Sequence, residues 1–316
     1  MPITEEQREQ RKTRLGSSDI AALLGVDHFS TAYDVYLEKT GKLEPEKKDV
    51  KKYLEAGNIF EGGVLDEAER LLGRLDRGID NQGLTVMADL PVPVGSIIDA
   101  RVLEPSNGDA SVGDPVEAKT AGLFGPLVEE WGEDGTDEVP DRIIIQDHVH
   151  MLCTGAKVCH TPTFLGGRGF VMFRVKRDEE VIETIKKAAI EFWNEHVLAD
   201  VEPKGVLPNI ELIARIRREP ESIVDVPDEL VQTWLDTTAE RLAAEKADKA
   251  AKKELLAALG IAEAGKCSLG LATYLSQSRS GIDSKKLKEE KPEIASKYAT
   301  LSTFRVLRFK KVKVEK

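Results

Sequence analysis

Val116-Glu117-Ala118-Lys119-Thr120 reads as a short apolar strand that carries two opposite charges. Residues two apart on a strand project to the same face, so Glu117 and Lys119 stand side by side. Alone, Glu-x-Lys is common on solvated strands as a weak ion pair. Its neighbourhood sets this one apart. Upstream, Val94-Gly95-Ser96-Ile97-Ile98-Asp99-Ala100-Arg101-Val102 falls in a second apolar strand, Gly95 to Leu103, with an acid in its middle. A carboxylate among Ile97, Ile98 and Val102 needs a partner or a cation. An acid on one strand and Glu-x-Lys on the next suit hydrolysis of a phosphodiester. Two carboxylates can hold Mg²⁺, a hard ion that takes oxygen ligands and keeps several waters. The ion acidifies a bound water and neutralises phosphate charge, and a lysine beside it orients that water or steadies the developing charge.

Outward from these strands, the pattern alternates between helix and sheet periods. Leu84 to Leu90, Pro115 to Thr120, Val158 to Leu165 and Phe170 to Val175 read as further strands. Helices are expected at Ser17 or Ser18 to Leu24, at Ser30 or Thr31 to Gly41, and over Lys48 to Leu72. Two more come later, Arg142 to Thr154, stopped by Gly155, and Glu179 to Val197. This predicts an α/β core over residues 1–200, with a boundary in the Pro- and Gly-bearing stretch Asp200 to Pro208. Residues 209–316 then form a C-terminal module. It has a long helix over Pro227 to Leu259 and strands at 270–277 and 302–313 around the basic segment Asp283 to Lys297. We expect it to support oligomers or bind a partner, because the helix carries Leu230, Trp234, Leu242, Leu255 and Leu256. The Gly-rich, acidic stretch Leu123 to Asp141 is expected to be mobile, and Gly166-Gly167-Arg168-Gly169 to be a hairpin turn.

Composition bounds the remaining readings. Hydrophobic residues are 41% and charged residues 32% of 316, which is ordinary globular usage and excludes wholesale disorder. Three cysteines, with no CxxC pair, argue against a disulfide framework or a cysteine zinc site. No apolar run approaches the ~18 residues of a membrane span. Met1 to Arg14 is polar, so a cytoplasmic protein is expected. The formal charge of −11 lacks the basic signature of a non-specific DNA binder, although net charge says nothing about a local site. His148 and His150, two apart on a helix, do not share a face as zinc-binding i, i+4 pairs do.

The motif order carries a resemblance. Arg11-x-x-Arg14-x-Gly16-Ser17-Ser18-Asp19-Ile20, Tyr36-x-x-Lys39-Thr40-Gly41, Gly57-x-x-x-Glu61, Asp99, Glu117-x-Lys119-Thr120 and Gln146-x-His148-x-His150-Met151-x-x-Thr154-Gly155 succeed one another along the chain. In this order they resemble the phage lambda exonuclease and YqaJ-like viral recombinases of the PD-(D/E)xK nuclease superfamily, and the C-terminal part resembles the extension of many such proteins. The resemblance implies a restriction-endonuclease-like core, a central mixed β-sheet flanked by helices. It implies that Asp99 and Glu117 bind metal, with the Ala118 carbonyl as a further ligand and Glu61 in support. Lys119 is then the catalytic lysine, and Gln146 holds the catalytic centre and attacking water. Arg11 or Arg14, with Ser17 or Ser18, receives the DNA 5′ phosphate; His150, on the face of Gln146, is a supporting group behind the site. The chain departs from the family pattern at Ile98, where a proline is usual, and at Gly62 and Gly63 after Glu61.

The same resemblance implies a Mg²⁺-dependent 5′→3′ exonuclease, with Mn²⁺ as a substitute and two ions per site. It would act on linear double-stranded DNA ends inside a bacterial host, encoded by a phage or prophage. It would leave 3′ single strands for a single-strand annealing recombinase, and assemble as a trimer. The alternatives are an endonuclease or a single-strand or 3′-end nuclease on the same core, and a non-catalytic DNA-end-binding or assembly factor.

Overall fold

A computed structural model of the chain describes residues 5–43, 52–106, 108–122, 130–278, 280–299 and 307. It divides into two units, Met1–Arg218 and Glu219–Lys316. The first opens with three short helices, α1 (Glu5–Lys12), α2 (Ser17–Leu23) and α3 (Ala32–Lys39), and a long one, α4 (Lys52–Leu72). Strands β1 (Gly73–Asp76), β2 (Leu84–Met87), β3 (Gly95–Ile98), β4 (Ala100–Pro105), β5 (Pro115–Val116) and β6 (Lys119–Ala121) come next. Helix α5 (Asp141–Thr154), the hairpin β7 (Val158–Leu165) and β8 (Gly169–Lys176), and α6 (Glu179–Phe192) follow, α6 running on as a π-turn over Trp193–Leu198, and short helical turns lie at Ile79–Asn81 and Ile210–Ile213.

The principal sheet is mixed. β4 lies antiparallel between β1 and β5, β5 and β6 both run parallel to β7, and β7 pairs antiparallel with β8. β2 and β3 form a separate antiparallel pair. Parallel strands need a long crossover, and α5 lies in the connection from β6 to β7. This is the α/β architecture with a central mixed sheet that the sequence implies. One apolar cluster joins α2, α3, α5 and α6 through Ile20, Tyr36, Val149 and Ile185; a second packs Leu65, Ala68 and Leu72 of α4 on Val102 and Val116; a third gathers Ile143, Met151 and Phe173.

Several expectations are revised. The strand expected over Gly95 to Leu103 is two strands, broken at Asp99, and the one over Pro115 to Thr120 is broken at Glu117 and Ala118. The cap of α2 is Gly16 rather than a serine: its N–H donates to the Asp19 carboxylate at 2.7 Å. Thr31 caps α3, accepting from the Asp34 N–H. Strand β1 and helix α1 are not foreshadowed by the sequence pattern. Residues 130–140, expected to be mobile, are pinned beside β8. Trp131 is buried on Phe173, the Asp134 carboxylate accepts from the Met172 N–H at 2.8 Å, and the Arg174 N–H donates to the Thr136 carbonyl.

The first unit also reaches further than the expected boundary at residues 200–208. Asn209 donates to the Asp34 carboxylate from both its backbone and its side chain, and Leu43 bridges Ile216, so the chain stays with this unit up to Arg218.

The second unit contains α7 (Asp228–Leu259), the hairpin β9 (Ala264–Cys267) and β10 (Gly270–Thr273), and two short helices, α8 (Ser284–Glu290) and α9 (Pro292–Lys297). The strand at 270–277 is thus shorter than expected and paired with an unforeseen partner, and the basic segment is helical. The strand expected at 302–313, the segment 123–129 and the beginning of the expected helix at 48–51 lie outside the described residues. Among the described residues no helix is long and apolar enough to cross a membrane.

Candidate active site

The two strand breaks meet. At the first, the backbone leaves β3 and enters β4 with Asp99 between them. At the second, the Glu117 N–H still donates to the His160 carbonyl of β7, at 2.9 Å. The next N–H, of Ala118, turns away from the ladder and donates to Asp99 Oδ2 at 2.8 Å. The irregularity of one strand is thereby joined to that of the other, and the two carboxylates are held together.

Glu117 is 4% exposed and closely held. Its Oε1 accepts from Lys119 Nζ and from Gln146 Nε2, each at 2.6 Å. Its Oε2 has no hydrogen-bond partner, although His150 Nε2 lies 3.1 Å away without hydrogen-bond alignment. His150 is fully buried behind it. Burial alone would raise the Glu117 pKa, but Lys119 and then His150 outweigh it and bring it to about 2. Asp99 goes the other way: burial first, then the Glu117 charge, push its pKa well above the usual carboxylate range. Burial works against the Lys119 ammonium, yet Glu117 and Asp99 hold its pKa above the ordinary value. Lys119 is therefore a fixed cation rather than a base.

Behind the pair, Asp147 is completely buried, with Oδ2 accepting from Thr161 Oγ1 at 2.7 Å and Oδ1 without a partner. Burial raises its pKa to about 6.

These groups open on a cavity of about 390 Å³ lined by Arg11, Arg14, Ser17, Ser18, Glu61, Asp99, Glu117, Lys119 and Gln146. Nine positions singled out from sequence thus converge in one place. Ala118 does not line the cavity, nor does His150; the first contributes its N–H, the second backs Glu117. Arg142 and Phe29 also line it and were not anticipated. The signal for Arg142 was its position four residues before Gln146, on one helix face.

Local chemistry explains the remaining motifs. Lys39 Nζ donates to the Arg11 carbonyl at 2.7 Å and pairs with Asp19 at 2.6 Å, so the Tyr-x-x-Lys-Thr-Gly segment ties the end of α1 to the start of α2. That fixes Arg11 and Arg14 relative to Ser17 and Ser18. Leu15 bridges Val94, which anchors the same segment beside β3. A Cβ at Gly95 would fall 2.3 Å from Met87 Sδ and 3.0 Å from the Val86 carbonyl, so a larger residue there would require Met87 to move. Arg14 is 6% exposed with Nη1 3.3 Å from Met87 Sδ, and burial, then Arg11, lower its pKa.

The donor set fits a divalent cation that prefers oxygen. Burial, and then the Glu117 charge, disfavour ionised Asp99 here, and one buried oxygen of Glu117 lacks a partner. Among the described residues no three His, Cys, Asp or Glu side chains form a ready metal cluster. A site with one or two carboxylates suits Mg²⁺, which takes its other ligands from water and substrate phosphate, better than an all-protein cage.

Comparison with known proteins agrees with this motif order. Uncharacterized protein YqaJ of Bacillus subtilis (strain 168) is 25% identical over 312 residues, spanning 96% of this chain and 93% of its own. Among solved structures, the alkaline exonuclease LHK-Exo of Laribacter hongkongensis is 16% identical, with a TM-score of 0.45, covering 62% of this chain and 94% of that one. Its complex with dAMP is 14% identical over the same shares, also with a TM-score of 0.45. Residues 7–157 match the YqaJ-like viral recombinase domain, and they include every residue of the cavity named above. Over that stretch the chain resembles the YqaJ-like viral recombinases.

Proposed function

We propose that the chain is a lambda-exonuclease-like nuclease, a Mg²⁺-dependent 5′→3′ exonuclease on linear double-stranded DNA. The observation that carries this reading is the Glu117 carboxylate, gripped by Lys119 and Gln146 and set beside Asp99 in a cavity bordered by arginines and serines. Asp99 and Glu117 would hold the metal, Mn²⁺ substituting for Mg²⁺, with Glu61 and the Ala118 carbonyl in support and room for two ions. When bound, the metal supplies an acidified water and neutralises phosphate charge.

The chain's own residues do the rest. Lys119, kept protonated, faces the phosphate as a cation and fixes Glu117. Gln146 keeps the Glu117 carboxylate from rotating. Arg11 or Arg14, with Ser17 or Ser18, takes the 5′ phosphate and so sets the distance from the strand end to the reacting phosphorus. Water attacks that phosphorus in line, and its bond to the O3′ of the terminal nucleotide breaks. A 5′ mononucleotide leaves, and a new 5′ phosphate remains on the strand. Repeated turnover would leave a 3′ single strand for an annealing recombinase, in the bacterial cytoplasm where the DNA lies. Residues 209–316 are assigned a role in oligomer assembly, a trimer by family resemblance, or in partner binding.

End-labelled 5′-phosphorylated duplex with Mg²⁺ tests the reading. We expect mononucleotide release from the 5′ ends, none from a covalently closed circle, and a loss of at least a hundredfold in Glu117→Ala. Cutting of the circle would indicate an endonuclease; equal activity in Glu117→Ala would remove the site from the reaction.

A further inference from the structure

Most arginines of the first unit that lie away from the cavity are neutralised: Arg70, Arg74, Arg77, Arg101, Arg174 and Arg177 each pair with a carboxylate. Arg142 is different. It lines the cavity from α5, and no described carboxylate pairs with it, although Asp99 and Glu117 border the same space. Its Nε is buried and donates no hydrogen bond. Its neighbour is an aromatic face, with Cζ 5.6 Å from the centroid of the Phe29 ring. A buried donor without an acceptor burdens a fold, and the residue as a whole is only half-buried. This cation–π contact with Phe29 uses none of the guanidinium's donors, which stay available to an anion. The group that such a fork matches is a phosphate, through two parallel N–H···O bonds.

We infer that Arg142, steadied by Phe29, grips a backbone phosphate of the DNA bound in the cavity. The inference rests on the nuclease reading. It adds a contact on the helix of Gln146, separate from the α1–α2 segment that would receive the 5′-terminal phosphate. Because Arg142 and Gln146 are one turn apart, phosphate held by the first is registered against the carboxylate held by the second.

Fluorescence anisotropy of labelled duplexes, in EDTA so that nothing is cut, tests this on the full chain. Arg142→Ala is expected to weaken binding roughly tenfold or more. It should also reduce the slope of log affinity against log salt by about one, as loss of a phosphate contact does. Arg142→Lys should retain the salt slope while binding less tightly. The loss in Arg142→Ala should be equal for 5′-phosphorylated and 5′-hydroxyl ends. Unchanged affinity and slope in a folded Arg142→Ala would overturn the inference. So would a lower melting temperature with an unchanged slope, or a loss confined to 5′-phosphorylated ends. A wild-type chain that binds duplex but never hydrolyses it with Mg²⁺ refutes the nuclease reading alone; one that binds no duplex refutes both.

Discussion

Asp99 and Glu117 lie side by side, yet burial and neighbours drive their proton affinities in opposite directions. The difference comes from partners: Lys119 and then His150 favour the Glu117 charge, whereas Asp99, more burdened by burial, faces a like charge. Gln146 donates to Glu117 and should matter through it. Gln146→Ala is expected to lower activity or metal affinity by about 10- to 100-fold, measured as nucleotide release and by calorimetry with Mg²⁺. Asp147 gives a second prediction. Its pKa rises from 3.8 to about 6 in the fold, so the native state holds the proton more tightly than the unfolded chain. Its contribution to stability is complete below about pH 4 and is lost as pH climbs through about 6. Asp147→Asn, which can still accept from Thr161, should therefore raise stability at pH 8 by up to about 3 kcal/mol relative to pH 4. Melting curves at the two pH values check the sign. At this scale the sequence was informative where chemistry is local: Glu117 and Lys119 share a face because of strand periodicity alone. It was silent on the burial of Asp147, since nothing in Gln146-Asp147-His148 announces that the last two will be enclosed while the first borders the cavity.

Among the elements, long periodic segments were legible and interruptions were not. Helix α5, the β7–β8 hairpin and the Gly155 stop follow from apolar spacing and from glycine's tolerance of positive φ. Gly155 sits at φ 76, and a Cβ added there would meet no atom within 4 Å, so only backbone strain opposes substitution. Gly155→Ala should cost about 1–2 kcal/mol, visible as a lower denaturant midpoint at unchanged slope. The breaks at Asp99 and at Glu117 were read as continuous strands. Alternation of apolar residues does not report where backbone hydrogen bonds leave the ladder for a side chain, and here they leave at the candidate site residues. Strand β1 escaped notice because Arg74 and Asp76 mark a polar strand at the end of the sheet order, with little apolar signal. Composition misled for residues 130–140: glycines and acids suggested motion, but Trp131 buries against Phe173 and anchors them.

For the whole chain, the charge of −11 ceases to argue against nucleic acid once its distribution is known. The proposed metal site would concentrate carboxylates by construction, and four cations, Arg11, Arg14, Arg142 and Lys119, face the same cavity. The division into two units yields a mechanical prediction. Residues 219–227 are exposed and lie outside regular secondary structure, between Arg218 and α7. Limited digestion with a glutamate-specific protease should cut first at Glu221, since Pro220 protects the bond after Glu219, giving an N-terminal fragment that contains the entire cavity; earlier cuts within α7 would contradict this. That the sequence placed the boundary some residues too early has a plain cause. Pro203, Gly205 and Pro208 look like a linker, but Asn209 is bonded to Asp34 across the fold.

The Ala118 N–H, bonded to Asp99 rather than to a neighbouring strand, has a spectroscopic consequence. Its proton reports on one carboxylate, so its chemical shift and its exchange with deuterium will respond when that carboxylate gains a proton or a cation. A single amide resonance can then follow loading of the site in solution, free of any substrate, while the amide of Glu117 next to it, bonded to His160, serves as the internal reference.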